Sequence, residues 1–257
     1  MIFSDQLNRS ITLARPPQRI ISLVPSQTEL LYSLGLDKEV VGITKFCVHP
    51  LTWFREKTRV GGTKNIHRHI IDQLKPDLII ANKEENLASD VEPLMKDYPV
   101  WVSNIQTLED AYEMITGIGA ITHREAAATA LLTQIKAGFA ALPVQANRVP
   151  TAYLIWRDPW MVAGGDTFIH EILGVCGLHN VFAGELRYPA VTAAQLASSG
   201  CELVLLSSEP YPFREKHIAE LRAILPAARI MLVDGEMFSW YGSRLLEAST
   251  YLKNLTF

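Results

Sequence analysis

Cysteine is scarce in this chain. Three residues, Cys47, Cys176 and Cys201, are scattered over 257 positions, which excludes a disulfide framework. Cys176 falls in an apolar helical run and Cys201 just before an apolar strand, so both read as packed core thiols. No apolar run reaches the ~18 residues of a membrane span. Blocks of like charge are absent and the net charge is -3, so no nucleic-acid stripe and no charged tail is expected. The first residues, Met1 to Ser10, lack a basic start followed by an apolar run. A cytoplasmic protein is expected on that basis, or a periplasmic one if a leader precedes this chain. Catalytic motifs are missing too. There is no Gly-x-Ser-x-Gly elbow, no Walker loop and no Gly-x-Gly-x-x-Gly after a strand. Gly61-Gly62-Thr63-Lys64 is glycine-rich without the phosphate-loop spacing, and reads as a tight turn that brings backbone and Lys64 toward a ligand. No enzyme and no covalent cofactor is expected.

What the chain does have is a repeated pattern. Glu29-Leu-Leu-Tyr-Ser-Leu-Gly-Leu-Asp-Lys-Glu-Val-Val-Gly42 reads against Glu171-Ile-Leu-Gly-Val-Cys-Gly-Leu-His-Asn-Val-Phe-Ala-Gly184. Gln73-Leu74 leading to Asp77-Leu-Ile-Ile-Ala-Asn-Lys-Glu84 is echoed by Gln195-Leu196 leading to Glu202-Leu-Val-Leu-Leu-Ser-Ser-Glu209. Order and spacing repeat together. The expectation is two α/β halves with a ligand cleft between them.

The strand run Arg19-Ile-Ile-Ser-Leu-Val24 stops at Pro25, where a helix begins. Ser26 and Glu29 have capping-box spacing, and Gly35 sits where a left-handed C-cap belongs. Strands are predicted at 39–43, 77–81 and 99–103, with helices near 67–74 and 90–97. Strands alternating with helices on short connections imply a parallel sheet. Residues 107–142 break the alternation. Thr107 opens one helix; Thr122 with Glu125 suggests a second capping box before an Ala-rich run that Pro143 ends. The fold expected is α/β, with two Rossmann-like lobes on central parallel sheets, joined by one long helix. The boundaries are 1–121 for the N-terminal lobe, 122–142 for the helix and 143–257 for the C-terminal lobe. In the second lobe, strands are predicted at 151–156, 202–206 and 229–233. Its helices are predicted near 167–175, 193–199, 212–224 and 241–255.

Ligands of parallel α/β sheets meet the loops after the strands' carboxyl ends. Those loops hold Phe46, Trp156, Trp160, Phe238, Trp240 and Tyr241, and Tyr188 lies on another connection. Aromatics gathered in loops suit a large, flat, partly apolar ligand. Cys47-Val-His49 is the best local metal candidate, because a thiolate and an imidazole two residues apart can reach one soft ion. Glu84 or Glu85 could add an oxygen. His67 and His69 read as solvated.

Several stretches resemble the helical-backbone (class III) substrate-binding proteins of ABC importers for vitamin B12, iron-siderophores and haem. They are Arg19 to Leu31, Val60-Gly-Gly-Thr-Lys-Asn65, Leu74-Lys-Pro-Asp-Leu-Ile-Ile80 and Val175-Cys-Gly-Leu-His-Asn-Val181. The B12-binding branch looks closest. The resemblance implies little hinge motion and a corrin lined by aromatics, which places Phe46, Trp156, Tyr188 and Trp240 as candidates. It also implies one docking glutamate per lobe for a permease. Those positions fall here at His69 and Ala194, neither acidic, with Glu185 a nearby substitute. The resulting expectation is a monomeric, non-enzymatic binder of cobalamin or a related metal chelate, acting as a cytoplasmic carrier or sensor. One alternative is a periplasmic receptor of an ABC importer for B12, iron-siderophore or haem. Another is an enzyme acting on a corrinoid or metal complex through Cys47, His49 and Glu84.

Overall fold

Apolar strands alternating with helices dominate the computed structural model, which describes residues 1–143 and 148–256. Contacts divide it into two compact units. The first comprises Met1–Ile105, Glu109–Gln134 and Tyr241–Arg244; the second comprises Gln106–Leu108, Ile135–Trp240 and Leu245–Phe257. The C-terminal lobe expected over 143–257 includes residues 144–147 and 257, which lie outside the described residues.

The first unit opens with the antiparallel strands β1 (Ile2–Ser4) and β2 (Ser10–Thr12). Asp5 closes their turn by accepting the backbone N–H groups of Leu7 and Arg9, each at 2.9 Å. Next come β3 (Ile20–Ser22), α1 (Pro25–Ser33), β4 (Val40–Ile43), α2 (Leu51–Glu56) and β5 (Thr58–Arg59). The short strands β6 (Gly61–Gly62) and β7 (Asn65–Ile66), then α3 (Arg68–Leu74), β8 (Leu78–Asn82), α4 (Ala88–Met95) and β9 (Val100–Ser103), follow. The sheet order is β5-β4-β3-β8-β9 and every pairing is parallel. Both faces are covered, so β8 is buried along its whole length, as a continuous apolar run requires. Ile21, Ile79, Val100 and Val102 pack with Ile71, Val91 and Leu94 into its core.

Helices α5 (Leu108–Ile121) and α6 (Glu125–Ala140) interrupt the strand alternation as expected. The capping expectations are corrected. Pro25 takes the first helical position of α1, where its missing N–H costs nothing. Val24 therefore becomes the N-cap, no side chain caps the end, and Ser26 lies inside the helix. Glu29 instead pairs with Arg244, its Oε2 accepting Nε–H at 3.0 Å. Thr122 turns its hydroxyl back to the Ile118 carbonyl at 2.6 Å, serving the end of α5 rather than the start of α6. Gly35 does follow α1 in the left-handed region, with φ of +75°.

The second unit holds β10 (Val149–Trp156), β11 (Trp160–Val162), α7 (Phe168–Val175), β12 (Leu178–Asn180) and β13 (Ala190–Val191). It continues with α8 (Ala193–Ser198), β14 (Leu203–Ser207), α9 (Glu215–Ile224), β15 (Arg229–Val233), α10 (Glu236–Ser239) and α11 (Arg244–Asn254), whose first residue falls in the first unit. The sheet runs β13-β11-β10-β14-β15, with β12 also on β10. Pairings of β10 with β12 and β14, and of β14 with β15, are parallel. Those of β11 with β10 and β13 are antiparallel. The central strands are thus parallel as expected, but one edge is not, because the chain doubles back through the short turn at Arg157–Pro159. Ala152, Leu154, Val204 and Leu206 pack with Leu196, Ile218 and Leu221 in this core.

Candidate functional site

In the first unit the carboxyl ends of β3, β4, β8 and β9 converge on a buried amide and hydroxyl network. Ser103, ending β9, receives Gln27 Nε2–H and, at 2.9 Å, Asn82 Nδ2–H on its hydroxyl. Asn82 Oδ1 accepts the backbone N–H groups of Glu84 and Glu85 at 2.8 and 3.0 Å, an Asx turn that fixes this loop. Asn86 reaches back to the Leu23 and Thr63 carbonyls at 3.3 and 3.0 Å. It ties the loop after β8 to the turn after β6. The network joins these loops into one platform, largely through Asn and Ser side chains that prefer turns to strands.

On this platform Phe46 is half exposed, at 51%, and lies over Gly62, where an added Cβ would stand 3.1 Å from the ring. Lys45 Nζ sits 5.1 Å from the ring centre. Gly61 must be glycine: its φ is +107°, and a Cβ there would collide with the Asn65 carbonyl. Lys64 is exposed in the turn between β6 and β7, while Glu84 and His49 are half-buried. Tyr241 is buried and donates its hydroxyl to Glu85 Oε1 at 3.2 Å. Burial, with Glu84 and Glu85 beside it, raises its pKa.

Cys47, paired with His49 in the metal role expected from the sequence, lies inside the core. The thiol is fully buried, 3.0 Å from the Thr28 hydroxyl and 3.2 Å from that of Thr44. Burial pushes its pKa up to about 11, so the thiolate that a metal needs is disfavoured at neutral pH. Among the described residues no three His, Cys, Asp or Glu side chains form a metal-binding group.

In the second unit the ends of β10, β14 and β15 carry an aromatic and acidic cluster. Trp156 ends β10 and is 39% exposed, its ring meeting Tyr211 edge-on at 5.5 Å. Trp160 is buried instead, stacked on Phe213 at 6.3 Å, with the Arg157 guanidinium 4.3 Å from its ring centre. Arg157 is itself held by Glu220 and Asp158. Trp240 is buried and donates its indole N–H to Glu209 Oε1 at 2.8 Å. Ser239 donates to the same oxygen at 2.9 Å. Burial, reinforced by Glu236 and Asp234, raises the Glu209 pKa against those two hydrogen bonds. Tyr188 is half-buried, on a segment held by Gly164 and Gly165 N–H donating to the Arg187 and Glu185 carbonyls, both at 2.8 Å.

The residues proposed from the sequence to meet a ligand therefore differ in availability. Phe46, Trp156 and Lys64 present surface, Glu84 and Tyr188 are half-buried, and Trp160, Phe238, Trp240 and Tyr241 are buried. Sequence reasoning placed the loop Ser207–Pro210 at a strand end without singling out Glu209, and overlooked Tyr211 and His217. A serine-rich end to an apolar strand, as in Leu203 to Ser208, was the available signal for the first.

The profile of the periplasmic binding protein family matches residues 20–216. The chain belongs to that family. This binding protein is 28% identical over 226 residues to the vitamin B12-binding protein of Vibrio parahaemolyticus, covering 86% of this chain and 82% of that one. It is 29% identical over 199 residues to an uncharacterized ABC transporter substrate-binding lipoprotein of Bacillus subtilis. That match covers 73% of this chain but spans only 63% of the Bacillus protein. The structure resembles the periplasmic vitamin B12 binding protein BtuF of Vibrio cholerae at a TM-score of 0.75 and 25% identity, covering 93% and 97% of the two chains. The catecholate-siderophore binding protein VctP of Vibrio cholerae shares the fold at a TM-score of 0.82 and 16% identity, covering 99% of each chain. No helix among the described residues of this binding protein is long and apolar enough to cross a membrane.

Proposed function

We propose that this protein is the non-enzymatic substrate-binding component of an ABC importer, and that it carries cobalamin or a closely related corrinoid. The relatives' names support the importer role over the cytoplasmic carrier expected from the sequence, and a place outside the cytoplasm goes with that role. The observation that carries the ligand assignment is the chemistry of the strand ends. Phe46 and Trp156 offer aromatic surface, which suits the flat apolar body of a corrin.

Charge at the second unit's strand ends supports a ligand with a neutral rim. The strand ends of the second unit bear Glu209, Asp234 and Glu236, and Arg157 is already engaged by Glu220 and Asp158. A ferric catecholate is strongly anionic and would meet like charge there. A corrinoid is bordered by neutral amides, whose N–H groups can donate to carboxylates. Glu84 and Lys64 supply polar partners on the first unit, Tyr188 adds a half-buried ring on the second, and the buried Trp160, Trp240 and Tyr241 complete the aromatic set. Iron-siderophore and haem carriage are the runner-up ligands.

The test is a titration of the purified protein with cyanocobalamin, a ferric catecholate and haemin, read by visible absorbance and calorimetry. The reading expects cyanocobalamin to bind stoichiometrically and at least tenfold more tightly than the others. Preference for the ferric catecholate would overturn it.

A further inference from the structure

His217 is a buried histidine, 4% exposed, in the first turn of α9, and nothing in the ligand assignment uses it. Its two ring nitrogens are both engaged. Nδ1 accepts the backbone N–H of Arg214 at 2.9 Å, closing the end of α9. That bond requires a lone pair on Nδ1, so in the neutral ring the proton resides on Nε2. Nε2–H then donates to the Tyr211 hydroxyl at 3.1 Å. The imidazole is also wedged edge-on between Tyr211 and Phe213, 5.3 Å from each ring centre. Tyr211 in turn meets Trp156 edge-on at 5.5 Å.

A leucine or phenylalanine at 217 would fill the same core. What histidine adds is two polar ends: one anchors to the helix start, the other reaches the aromatic that braces Trp156. We propose that His217 is a positioning residue for the ligand-facing Trp156, acting through Tyr211. This rests on the reading of Trp156 as a corrinoid contact. The device holds the indole in one orientation before ligand arrives, so binding does not have to immobilise it.

The experiment uses the whole protein labelled with fluorotryptophan, titrated with cyanocobalamin and followed by fluorine NMR. Five tryptophans give five resonances, and Trp156→Phe assigns the one of interest. Tyr211→Phe keeps the ring and loses the hydroxyl; His217→Phe keeps a ring and loses both nitrogens; His217→Gln keeps an acceptor and a donor. The expected result is a broadened or shifted Trp156 resonance in both phenylalanine variants. Binding should weaken about five-fold in Tyr211→Phe, the factor for one lost hydrogen bond, and by at least as much in His217→Phe, which loses two. His217→Gln should return both readouts to near wild type, which packing alone would not do. An unmoved Trp156 resonance in Tyr211→Phe overturns the proposal, as does His217→Gln behaving like His217→Phe. If Trp156→Ala itself leaves cyanocobalamin affinity intact, the ligand assignment fails, while the resonance still judges the link between His217 and Trp156 by itself.

Discussion

Replacing Cys47 by alanine separates a packed thiol from a functional one. The thiol is fully buried, with two threonine hydroxyls against it. Removing it leaves a small cavity and strips a partner from Thr28 and Thr44, for a cost of about 1–2 kcal/mol in urea unfolding. The pH dependence is more diagnostic. The folded thiol keeps its proton up to about 11, against an ordinary value of 9.0. Below pH 9 both folded and unfolded states hold the proton, so the contribution is constant. Between pH 9 and about 11 only the unfolded thiol ionises, and stability falls as pH rises, at up to about 1.4 kcal/mol per pH unit. The whole loss is about 3 kcal/mol. In Cys47→Ala this loss vanishes, so the gap between wild type and variant should narrow, or invert, from neutral to strongly alkaline pH. Cys176, which burial pushes up to about 12, continues to titrate in both proteins and cancels in the comparison. The assay is urea unfolding across pH, paired with the rate of Cys47 labelling by a thiol reagent in Cys176→Ala/Cys201→Ala protein. Rapid labelling of folded protein at neutral pH, or a gap that does not change with pH, would refute the reasoning and return Cys47 to the metal question.

Other outcomes follow from single contacts. Arg244→Ala leaves the Glu29 carboxylate without a mostly buried cation, and should cost about 3 kcal/mol in chemical denaturation. Gly61→Ala meets both a left-handed backbone and the Asn65 carbonyl, so a loss of more than about 1 kcal/mol is expected in thermal unfolding. Trp240→Phe removes the indole N–H from Glu209. It should weaken cyanocobalamin binding by several-fold with little change in circular dichroism. His69 and Ala194 are exposed on α3 and α8. If the family's acidic docking contacts belong there, His69→Glu/Ala194→Glu protein should bind a B12-type permease in nanodiscs at least tenfold more tightly, in a salt-sensitive way.

The parts of the fold carried by period and punctuation could be read from the sequence. Leu78–Ala81 and Leu203–Leu206 are uninterrupted apolar runs closed by a polar residue, short enough and on short enough loops to read as buried strands. The Ala-rich α6 was legible for the same reason. What could not be read was competition between local signals. Ser26 and Glu29 have the spacing of a capping box, but Pro25 occupies the first helical turn and moves the boundary. Strand β11 spans three residues, too few for an alternation to register, so the antiparallel edge was invisible. In the site, aromatic residue type was legible and burial was not. Trp156 and Trp160 stand four residues apart on either side of one short turn, yet one is partly exposed and the other is buried on Phe213. The contacts of His217 run to residues three and six positions earlier, but their geometry depends on the turn before α9.

The central claim is that the protein binds a corrinoid through aromatic surface at its strand ends. Calorimetric titration of wild type and Trp156→Ala with cyanocobalamin tests it most directly. The account predicts one cyanocobalamin per chain for wild type and at least a tenfold weaker constant for the variant, in line with about 1–3 kcal/mol for an aromatic anchor. No binding by wild type, or equal binding by both proteins, would contradict it.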